Sequence, residues 1–311
     1  MERQHIYAGS YLDRTTHLRD DPAGIDAMIA DVRSRAVPVW NTRNLVAGDD
    51  PPRAALVDLR RLPEPQRNAG ELILLGQYGL TPCFACALDG PDAPRLVPDA
   101  RFEDLRVLAP NLSAEDAGLL GYARAMVAWR HRHRFCGSCG AATHATKGGH
   151  VMVCTNASCA AQQFPRIDPA IIVLISDGER VLLGRQAAWP AGRYSTIAGF
   201  VEPGESLEDA VVREVLEETG VPVDRIQYHS SQPWPFPASL MLGFMARALA
   251  TDVHLKDQEL EDARWFSRDD IISGHALLPP GQSISFRLIE QWFDGVAGAR
   301  LREVARAGAW R

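Results

Sequence analysis

Residues Gly199 to Val221 read "GFVEPGESLEDAVVREVLEETGV", and this stretch decides both the fold and the chemistry that the sequence predicts. Ser206 is a favourable helix N-cap, and Asp209 follows it at the spacing of a capping box. Gly220 is a residue type that commonly ends helices. The segment "SLEDAVVREVLEETG" is therefore predicted to form a helix that begins after Ser206 and stops at Gly220.

Three glutamates on this helix are candidate metal ligands. Glu214, Glu217 and Glu218 stand at positions i, i+3 and i+4, so they share one face, where like charges repel. Carboxylate oxygens suit a hard divalent cation, Mg²⁺ or Mn²⁺, which would supply the counter-charge. A solvated acidic face is the ordinary alternative. Apolar residues away from the acidic face are expected to meet the core: Val212, Val215 and Leu216.

The whole stretch resembles the Nudix box, G-x5-E-x7-R-E-U-x-E-E-x-G-U with U apolar, at every specified position. From average residue usage, a chance match in this chain has odds on the order of 10⁻⁷. The resemblance implies an α/β/α sandwich with a mixed sheet, of the α/β or α+β class. It also implies hydrolysis of a nucleoside diphosphate linked to another group, with bound cations neutralising charge and activating a water.

The resemblance also implies roles for residues in and around the box. Arg213 is expected to position the glutamates. A base for the attacking water is expected from a box glutamate or from Glu259, in "KDQELEDARWF", on a later loop. The implied magnesium or manganese ligands are the Ala198 carbonyl and the side chains of Glu214, Glu217 and Glu218.

Four cysteines in the middle of the chain have the spacing of a zinc site. Cys136 and Cys139 are followed, after fourteen residues, by Cys154 and Cys159 in a C-x4-C pair. Two cysteine hairpins at this separation predict a zinc ribbon, and four thiolates leave no open position for catalysis. A redox or disulfide role is the alternative.

The stretch "SQPWPFPAS", Ser231 to Ser239, has proline at every second position. Proline excludes a helix and disfavours a central strand. An extended rod is predicted, with Trp234 and Phe236 on one face and Gln232 and Ser239 at its ends. The residues alone favour a proline-rich connection capped by core aromatics over a binding loop.

The zinc ribbon before the box, "FPRIDPAIIV" joining the two and "SQPWPFPAS" after the box together resemble the NADH pyrophosphatases of the Nudix family. This implies a homodimer that hydrolyses NADH, and NAD⁺ less readily, to AMP and the nicotinamide mononucleotide. Phe200 is expected to stack on a base, while Phe164 stands where relatives usually have Tyr. The implied substrate pocket contains Phe164, Phe200, Gln232, Pro233, Trp234, Pro235, Phe236, Pro237, Ala238, Ser239, Glu259 and Ser285.

Three alternatives to NADH hydrolysis remain open. The same chemistry could remove an NAD cap from the 5′ end of RNA. The chain could instead be a non-catalytic sensor of NAD-type metabolites, or a zinc-ribbon nucleic-acid module with a vestigial Nudix domain. A net charge of −6 and a pI of about 5.9 argue against a protein that coats nucleic acid.

Length and composition predict several domains. The chain has 311 residues, of which 46% are hydrophobic, so it can bury a sizeable core. We expect a β-rich domain over 1–115, a linker helix and zinc ribbon over 116–165, and the Nudix domain over 166–311. The start has no apolar signal core and the apolar run "AIIVLI" is short, so a cytoplasmic protein with reduced cysteines is expected.

Two further patterns lie outside the box. Cys83 and Cys86 form a C-x-x-C in an apolar strand, and buried thiols are the preferred interpretation. The basic run "RHRHR", Arg130 to Arg134, ends the helix that Ser113 is expected to cap; a solvated helix end is preferred to a phosphate contact. Leu119, Ala123 and Met126 recur at helical spacing on the predicted core face.

Overall fold

The structure is a computed structural model that describes residues 5–9, 11–255, 259–296 and 298–305. Its contacts divide the chain into two compact units. The first comprises Met1–Ile167 together with Trp234–Ala238, and the second comprises Asp168–Pro233 together with Ser239–Arg311.

The first unit is rich in strands, as predicted. Its strands are β1 Leu12–Asp13, β2 Arg35–Trp40, β3 Arg43–Ala47, β4 Arg53–Ala54, β5 Val57–Asp58, β6 Ile73–Tyr78, β7 Thr81–Leu88, β8 Ala100–Glu103, β9 Thr143–Thr146, β10 Val151–Cys154 and β11 Gln162–Gln163. Its helices are α1 Pro22–Ala30, α2 Leu105–Leu108 and α3 Ala114–Arg132, with short 3-10 turns at Thr16–Leu18, Leu59–Arg61, Ala109–Asn111 and Lys147–Gly149.

The large sheet of the first unit has the order β1-β6-β7-β2-β3-β4, with β5 and β8 added to β2 and β3. Cys83 and Cys86 point to opposite faces of β7, because Cys83 joins the cluster that contains α3 and Cys86 joins the cluster on the other face. Both are fully buried, and burial raises the thiol pKa to about 11 for Cys83 and about 12 for Cys86. The prediction of buried thiols is confirmed.

Helix α3 packs on this sheet as its apolar spacing predicts. Leu119, Ala123 and Met126 are buried, and the Ser113 side chain caps the helix by accepting a hydrogen bond from the Asp116 N–H. The basic run at its end is only partly solvated. Arg130 donates to the carbonyl oxygens of Gly70 and Leu72, so a solvated helix end is the wrong description of this one arginine.

The second unit carries the remaining elements. These are strands β12 Asp168–Ser176, β13 Arg180–Arg185, β14 Ile197–Phe200, β15 Val223–Trp234, β16 Ser239–Ala248 and β17 Asp262–Ser267, and helices α4 Leu207–Thr219, α5 Arg268–Ile272, α6 Ile284–Asp294 and α7 Leu301–Val304. Trp234, the last residue of β15, is the one residue of this set that is grouped with the first unit. No helix in the described part of the chain is long and apolar enough to cross a membrane.

The sheet of the second unit has the order β15-β16-β12-β13-β17, with β14 paired to β12. Strand β12 runs parallel to β16 and antiparallel to β13 and β14, so the sheet is mixed. Alternate residues of β12 face opposite layers: Ile171 packs in one cluster with Val215 of α4, and Ile172 packs in another with Phe286 of α6. The predicted α/β/α sandwich is confirmed.

Helix α4 begins and ends where the sequence predicts. Ser206 and Asp209 form a reciprocal capping box, and Gly220 ends the helix with φ of 72°. The predicted core face is partly wrong. Val215 is fully buried, but Val212 and Leu216 are 39% and 41% exposed. The helix is turned so that its acidic face points inward, which leaves these two residues on the outer side.

The predicted extended rod is also wrong. Strand β15 continues through Trp234, and residues 235–238 form a turn in which the Phe236 N–H donates to the Trp234 carbonyl at 2.8 Å. Because β15 and β16 are neighbours in the sheet, the chain must reverse between them. Pro233 is tolerated because β15 lies at the edge of the sheet.

Candidate functional site

The acidic face of α4 lies inside the second unit. Glu218 is only 3% exposed, and the Glu214 side chain is 12% exposed, whereas the Glu217 side chain is 55% exposed. Glu214 and Glu218 are one helical turn apart, so the helix presents two sheltered carboxylates on the same side. A solvated acidic face, the ordinary alternative, does not describe this helix.

Glycine at position 199 makes room for one of these carboxylates. A β-carbon built on Gly199 would lie 1.9 Å from the Glu214 carboxyl carbon and 2.0 Å from its Oε1. Any other residue would collide with the carboxylate. Gly199 and Ala198 lie in β14, which pairs with the central strand β12, so the backbone of this sheet lies against the Glu214 carboxylate.

Arg213 holds the outer side of this acidic group. Its guanidinium lies 3.0 Å from both Glu214 and Glu217, and its Nε donates to Glu205 at 2.5 Å. It also donates to the Phe200 carbonyl at 3.0 Å. The guanidinium lowers the pKa of Glu205 to about 2 by hydrogen bonding. Sequence reasoning assigned no role to Glu205, although it is the first glutamate of the box pattern.

Burial raises the pKa of Glu214, and the nearby charges of Glu217 and Glu259 add to this, against the opposing effect of Arg213. The role of Glu259 as a base stays a prediction. Since the charged form of Glu214 is disfavoured, a proton or a cation at this point stabilises the site.

The donor chemistry of this face suits Mg²⁺ or Mn²⁺, which prefer oxygen ligands. The carboxylates are not drawn together around one point, however. In the described part of the chain, the one compact group of three or more potential metal-ligating side chains is the cysteine quartet. The roles of Ala198, Glu214, Glu217 and Glu218 as metal ligands therefore stay predictions.

The four cysteines form a compact sulfur cluster. All four Sγ atoms lie within 4.8 Å of one another, with Cys136 and Cys159 at 3.8 Å and Cys139 and Cys154 at 3.4 Å. Four sulfurs at about 2.3 Å from a tetrahedral Zn²⁺ would be about 3.8 Å apart. The residues therefore fit a closed structural zinc site without rearrangement.

Gln232, at the end of the proline-rich stretch, is fully buried in the second unit. Its Oε1 accepts a hydrogen bond from the Ile284 N–H at 2.9 Å, and its Nε2 donates to the Gln282 carbonyl at 3.2 Å. This side chain therefore provides a hydrogen-bond acceptor for a backbone N–H in the first turn of α6. In the pocket predicted from sequence, Gln232 would act by holding the chain, not by offering a free amide.

The other predicted pocket residues differ in exposure. Phe164 and Phe200 are 56% and 59% exposed, which is unusual for large apolar rings. Ser285 is 3% exposed, and its hydroxyl is bonded at 2.8 Å to the hydroxyls of Ser195 and Thr196. The two rings are open to a ligand, whereas the Ser285 hydroxyl is engaged by neighbouring hydroxyls.

Comparison with known protein families matches three consecutive segments between residues 33 and 291. The matching descriptions are a NADH pyrophosphatase-like rudimentary NUDIX domain over residues 33–129, a NADH pyrophosphatase zinc ribbon domain over 131–164 and a NUDIX domain over 166–291. The first of these was missed by sequence reasoning, because that part of the chain contains no Nudix box.

Among curated proteins, the chain is 44% identical to "NAD-capped RNA hydrolase NudC" of Stutzerimonas stutzeri over 71% of this chain and 78% of that protein. It is 39% identical to "NAD-capped RNA hydrolase NUDT12" of Macaca fascicularis over 72% of this chain. The chain spans about half, 53%, of the length of that second relative.

Among solved structures, a NUDIX hydrolase from Nitrosomonas europaea aligns at 24% identity with a TM-score of 0.41, over 51% of this chain and 90% of that one. The three consecutive domain matches and the identity to the bacterial relative agree with the residues described above. The chain belongs to the NADH pyrophosphatase subfamily of the Nudix hydrolase family.

Proposed function

We propose that this chain is a metal-dependent diphosphatase that hydrolyses NADH, and NAD⁺ less readily, to AMP and the nicotinamide mononucleotide. The observation that carries the proposal is the sheltered pair Glu214 and Glu218 on α4, with Gly199 leaving space for one carboxylate. A protein that only bound a dinucleotide would not need two buried, mutually repelling carboxylates.

Glu214 and Glu218 would be the chief ligands of Mg²⁺ or Mn²⁺, with Glu217 and the Ala198 carbonyl assisting. The bound ion would supply charge neutralisation at the diphosphate and a more acidic water. Arg213 keeps Glu214 and Glu217 oriented through its two 3.0 Å contacts.

The bond that breaks is a phosphorus–oxygen bond of the central anhydride, and the oxygen of the attacking water joins phosphorus. Glu259, or a glutamate of the box, takes the proton from that water. Glu259 is our preferred base because it is exposed and its charge acts on Glu214. The other phosphate leaves as part of the second mononucleotide.

The exposed rings of Phe164 and Phe200 would provide stacking surfaces for the bases of a dinucleotide. Phe164 has no phenolic hydroxyl to donate a hydrogen bond, but its ring can still stack. The remaining proposed pocket residues are Gln232, Pro233, Trp234, Pro235, Phe236, Pro237, Ala238, Ser239, Glu259 and Ser285.

A direct test is chromatography of the products after incubation with NADH and either Mg²⁺ or Mn²⁺. Equal amounts of AMP and reduced nicotinamide mononucleotide would support cleavage of the anhydride. ADP-ribose with free nicotinamide, or unchanged NADH with both metals, would contradict the proposal. A comparison of the two ions in the same assay identifies the preferred metal.

Removal of the NAD cap from RNA is a second candidate, because it needs the same chemistry and both curated relatives are named for it. Matched RNAs with a 5′-NAD cap or a 5′-triphosphate separate the two substrates. Release of the cap at a rate comparable to NADH hydrolysis would establish both activities. The absence of cap removal under conditions that cleave NADH would reject the second.

We also propose that the protein is a homodimer in the cytoplasm, with one structural zinc ion in each chain. Light scattering after size-exclusion chromatography measures the mass in solution. A mass near 34.1 kDa, that of a single chain, would contradict the dimer.

A further inference from the structure

We propose that Arg124 is a positioning residue for the proposed reaction, because it clamps the Trp234–Ala238 loop to helix α3 of the first unit. This inference rests on the proposed function of the "SQPWPFPAS" stretch. It assigns the aromatic residues of the loop an anchoring role.

Arg124 makes two kinds of contact with the loop. Its Nε donates to the Pro235 carbonyl at 3.0 Å, and the central carbon of its guanidinium lies 4.9 Å from the centre of the Phe236 ring. The residue is only 8% exposed, although it is an arginine in the middle of a helix. A charge buried to this extent is stable only with polar or aromatic partners, and the loop supplies both.

Other residues of the first unit surround the same ring. The guanidinium of Arg106 lies 4.3 Å from the centre of the Phe236 ring. The ring of Tyr7 meets Phe236 edge-on at 5.8 Å and Trp234 at 6.4 Å, and its hydroxyl donates to the Leu105 carbonyl at 3.3 Å. Both aromatic residues of the loop pack against the apolar cluster that includes α3.

The backbone of α3 approaches the loop closely at Gly121. A β-carbon at this position would lie 3.3 Å from the Pro235 Cγ and 3.3 Å from the Tyr7 ring. Pro235 itself is buried. The helix and the loop therefore pack closely here. Gly121 leaves space for the buried Pro235, and Arg124, one turn along the helix, donates its hydrogen bond to the same proline.

The flanks of the loop are fixed separately. Gln232 is held by its hydrogen bonds to Ile284 and Gln282, and Ser239 begins β16 in register with Asp168. Between these flanks, Pro235 and Phe236 are held by their contacts with Arg124 and Tyr7. Since Phe236 already contacts two guanidiniums and Tyr7, we assign it to anchoring the loop and not to stacking on a base.

The test compares Arg124→Met with Arg124→Lys, which keeps the charge and a donor, and with Arg130→Met as a matched control. Arg130 lies on the same helix, and its side chain is 14% exposed, but it donates to the carbonyls of Gly70 and Leu72. Arg106→Met is a milder variant, because Arg106 is exposed and substitutions at exposed positions usually change stability little.

Two measurements are made on each variant: hydrogen exchange of the peptide containing residues 233–240, and the KM and kcat for NADH. For Arg124→Met we expect at least about tenfold faster exchange in the loop and a KM raised about tenfold, with kcat lowered less than about threefold. Arg106→Met should also speed loop exchange and raise KM, but by less. Arg124→Lys should show smaller changes in exchange and KM than Arg124→Met.

Unchanged loop exchange and unchanged KM in Arg124→Met would overturn the inference. Equal effects from Arg130→Met would also overturn it, because they would show general destabilisation of α3. Failure of the parent protein to hydrolyse NADH would instead reject the proposed function. Loop exchange would still decide whether Arg124 is the anchor.

Discussion

The carboxylate of Glu214 occupies the place where the side chain of any other residue at position 199 would begin. The distance from the Glu214 carboxyl carbon to a β-carbon built on Gly199 is 1.9 Å, far inside van der Waals contact. Helix α4 and strand β14 are thus fitted to each other at the most important point of the proposed site. The first and sixteenth positions of the Nudix box are linked by this one steric relationship.

Substitution Gly199→Ala should therefore damage the site more than the fold. The added methyl group forces the Glu214 carboxylate away, and we expect at least about a hundredfold loss of kcat/KM. Substitution Val212→Ala on the outer side of α4 is the control, since Val212 is 39% exposed. Near-parental activity in Gly199→Ala, measured with NADH, would show that the Glu214 position does not matter.

Substitution Gln232→Leu should lower stability, because it leaves the buried Ile284 N–H without its acceptor. A lost partner for a buried donor costs about 1–3 kcal/mol. Gln227→Leu, at an exposed position on the same strand, is the control. Thermal or urea unfolding measures both variants; equal stability of the two would remove the structural role assigned to Gln232.

Substitution Cys139→Ser should release zinc. We expect about one zinc ion per chain in the parent and much less in the variant, measured by metal analysis, because the closed site needs all four thiolates. Cys83→Ala is the control, since Cys83 is buried in β7 outside the quartet. Full zinc content in Cys139→Ser, or loss of zinc from Cys83→Ala, would be incompatible with this assignment.

His150 predicts a pH dependence of stability. It lies in the first unit, donates from Nε2 to the Leu74 carbonyl at 2.7 Å, and has its pKa lowered to about 4 by burial, with Arg19 and Arg14 adding to the effect. The unfolded chain binds this proton more readily, so stability is present above the unfolded pKa and is lost as pH falls from 6.5 towards 4.

Between pH 7 and pH 5, the parent should lose about 2 kcal/mol more stability than a His150→Gln variant. Between pH 7 and pH 5, the melting temperature of the parent should therefore fall by roughly 4–8 °C more than that of His150→Gln. Comparing the two proteins removes the effect of acid on the cysteine quartet, which they share. If the difference in melting temperature between the two proteins stayed the same from pH 7 to pH 5, His150 would not be the source of this pH dependence.

The sequence predicted most of the second unit because its signals are local. Ser206, Asp209 and Gly220 determine the ends of α4 by hydrogen bonds and backbone conformation within a few residues. The direction in which α4 faces is not local. Val212 and Leu216 were expected in the core because they lie away from the acidic face, but Glu218 is the buried residue and these two are partly exposed.

The prediction of an extended rod for the proline-rich stretch was wrong for a similar reason. Alternating prolines favour an extended chain, yet the pairing order of β15 and β16 requires a reversal within residues 235–238. The contact between Arg124 and this loop could not be predicted from the sequence, because 111 positions separate Arg124 from Pro235. The Nudix-like character of the first unit was equally hidden, since no catalytic motif remains there.

The most direct test of the central claim is the rate of AMP formation from NADH, measured over a range of Mg²⁺ and Mn²⁺ concentrations for the parent, Glu218→Gln and Val212→Ala. We expect metal-dependent AMP formation by the parent and by Val212→Ala, and a loss of at least about a hundredfold in Glu218→Gln because a proposed ligand carboxylate is removed. Parental activity in Glu218→Gln, or AMP formation without any divalent ion, would contradict it.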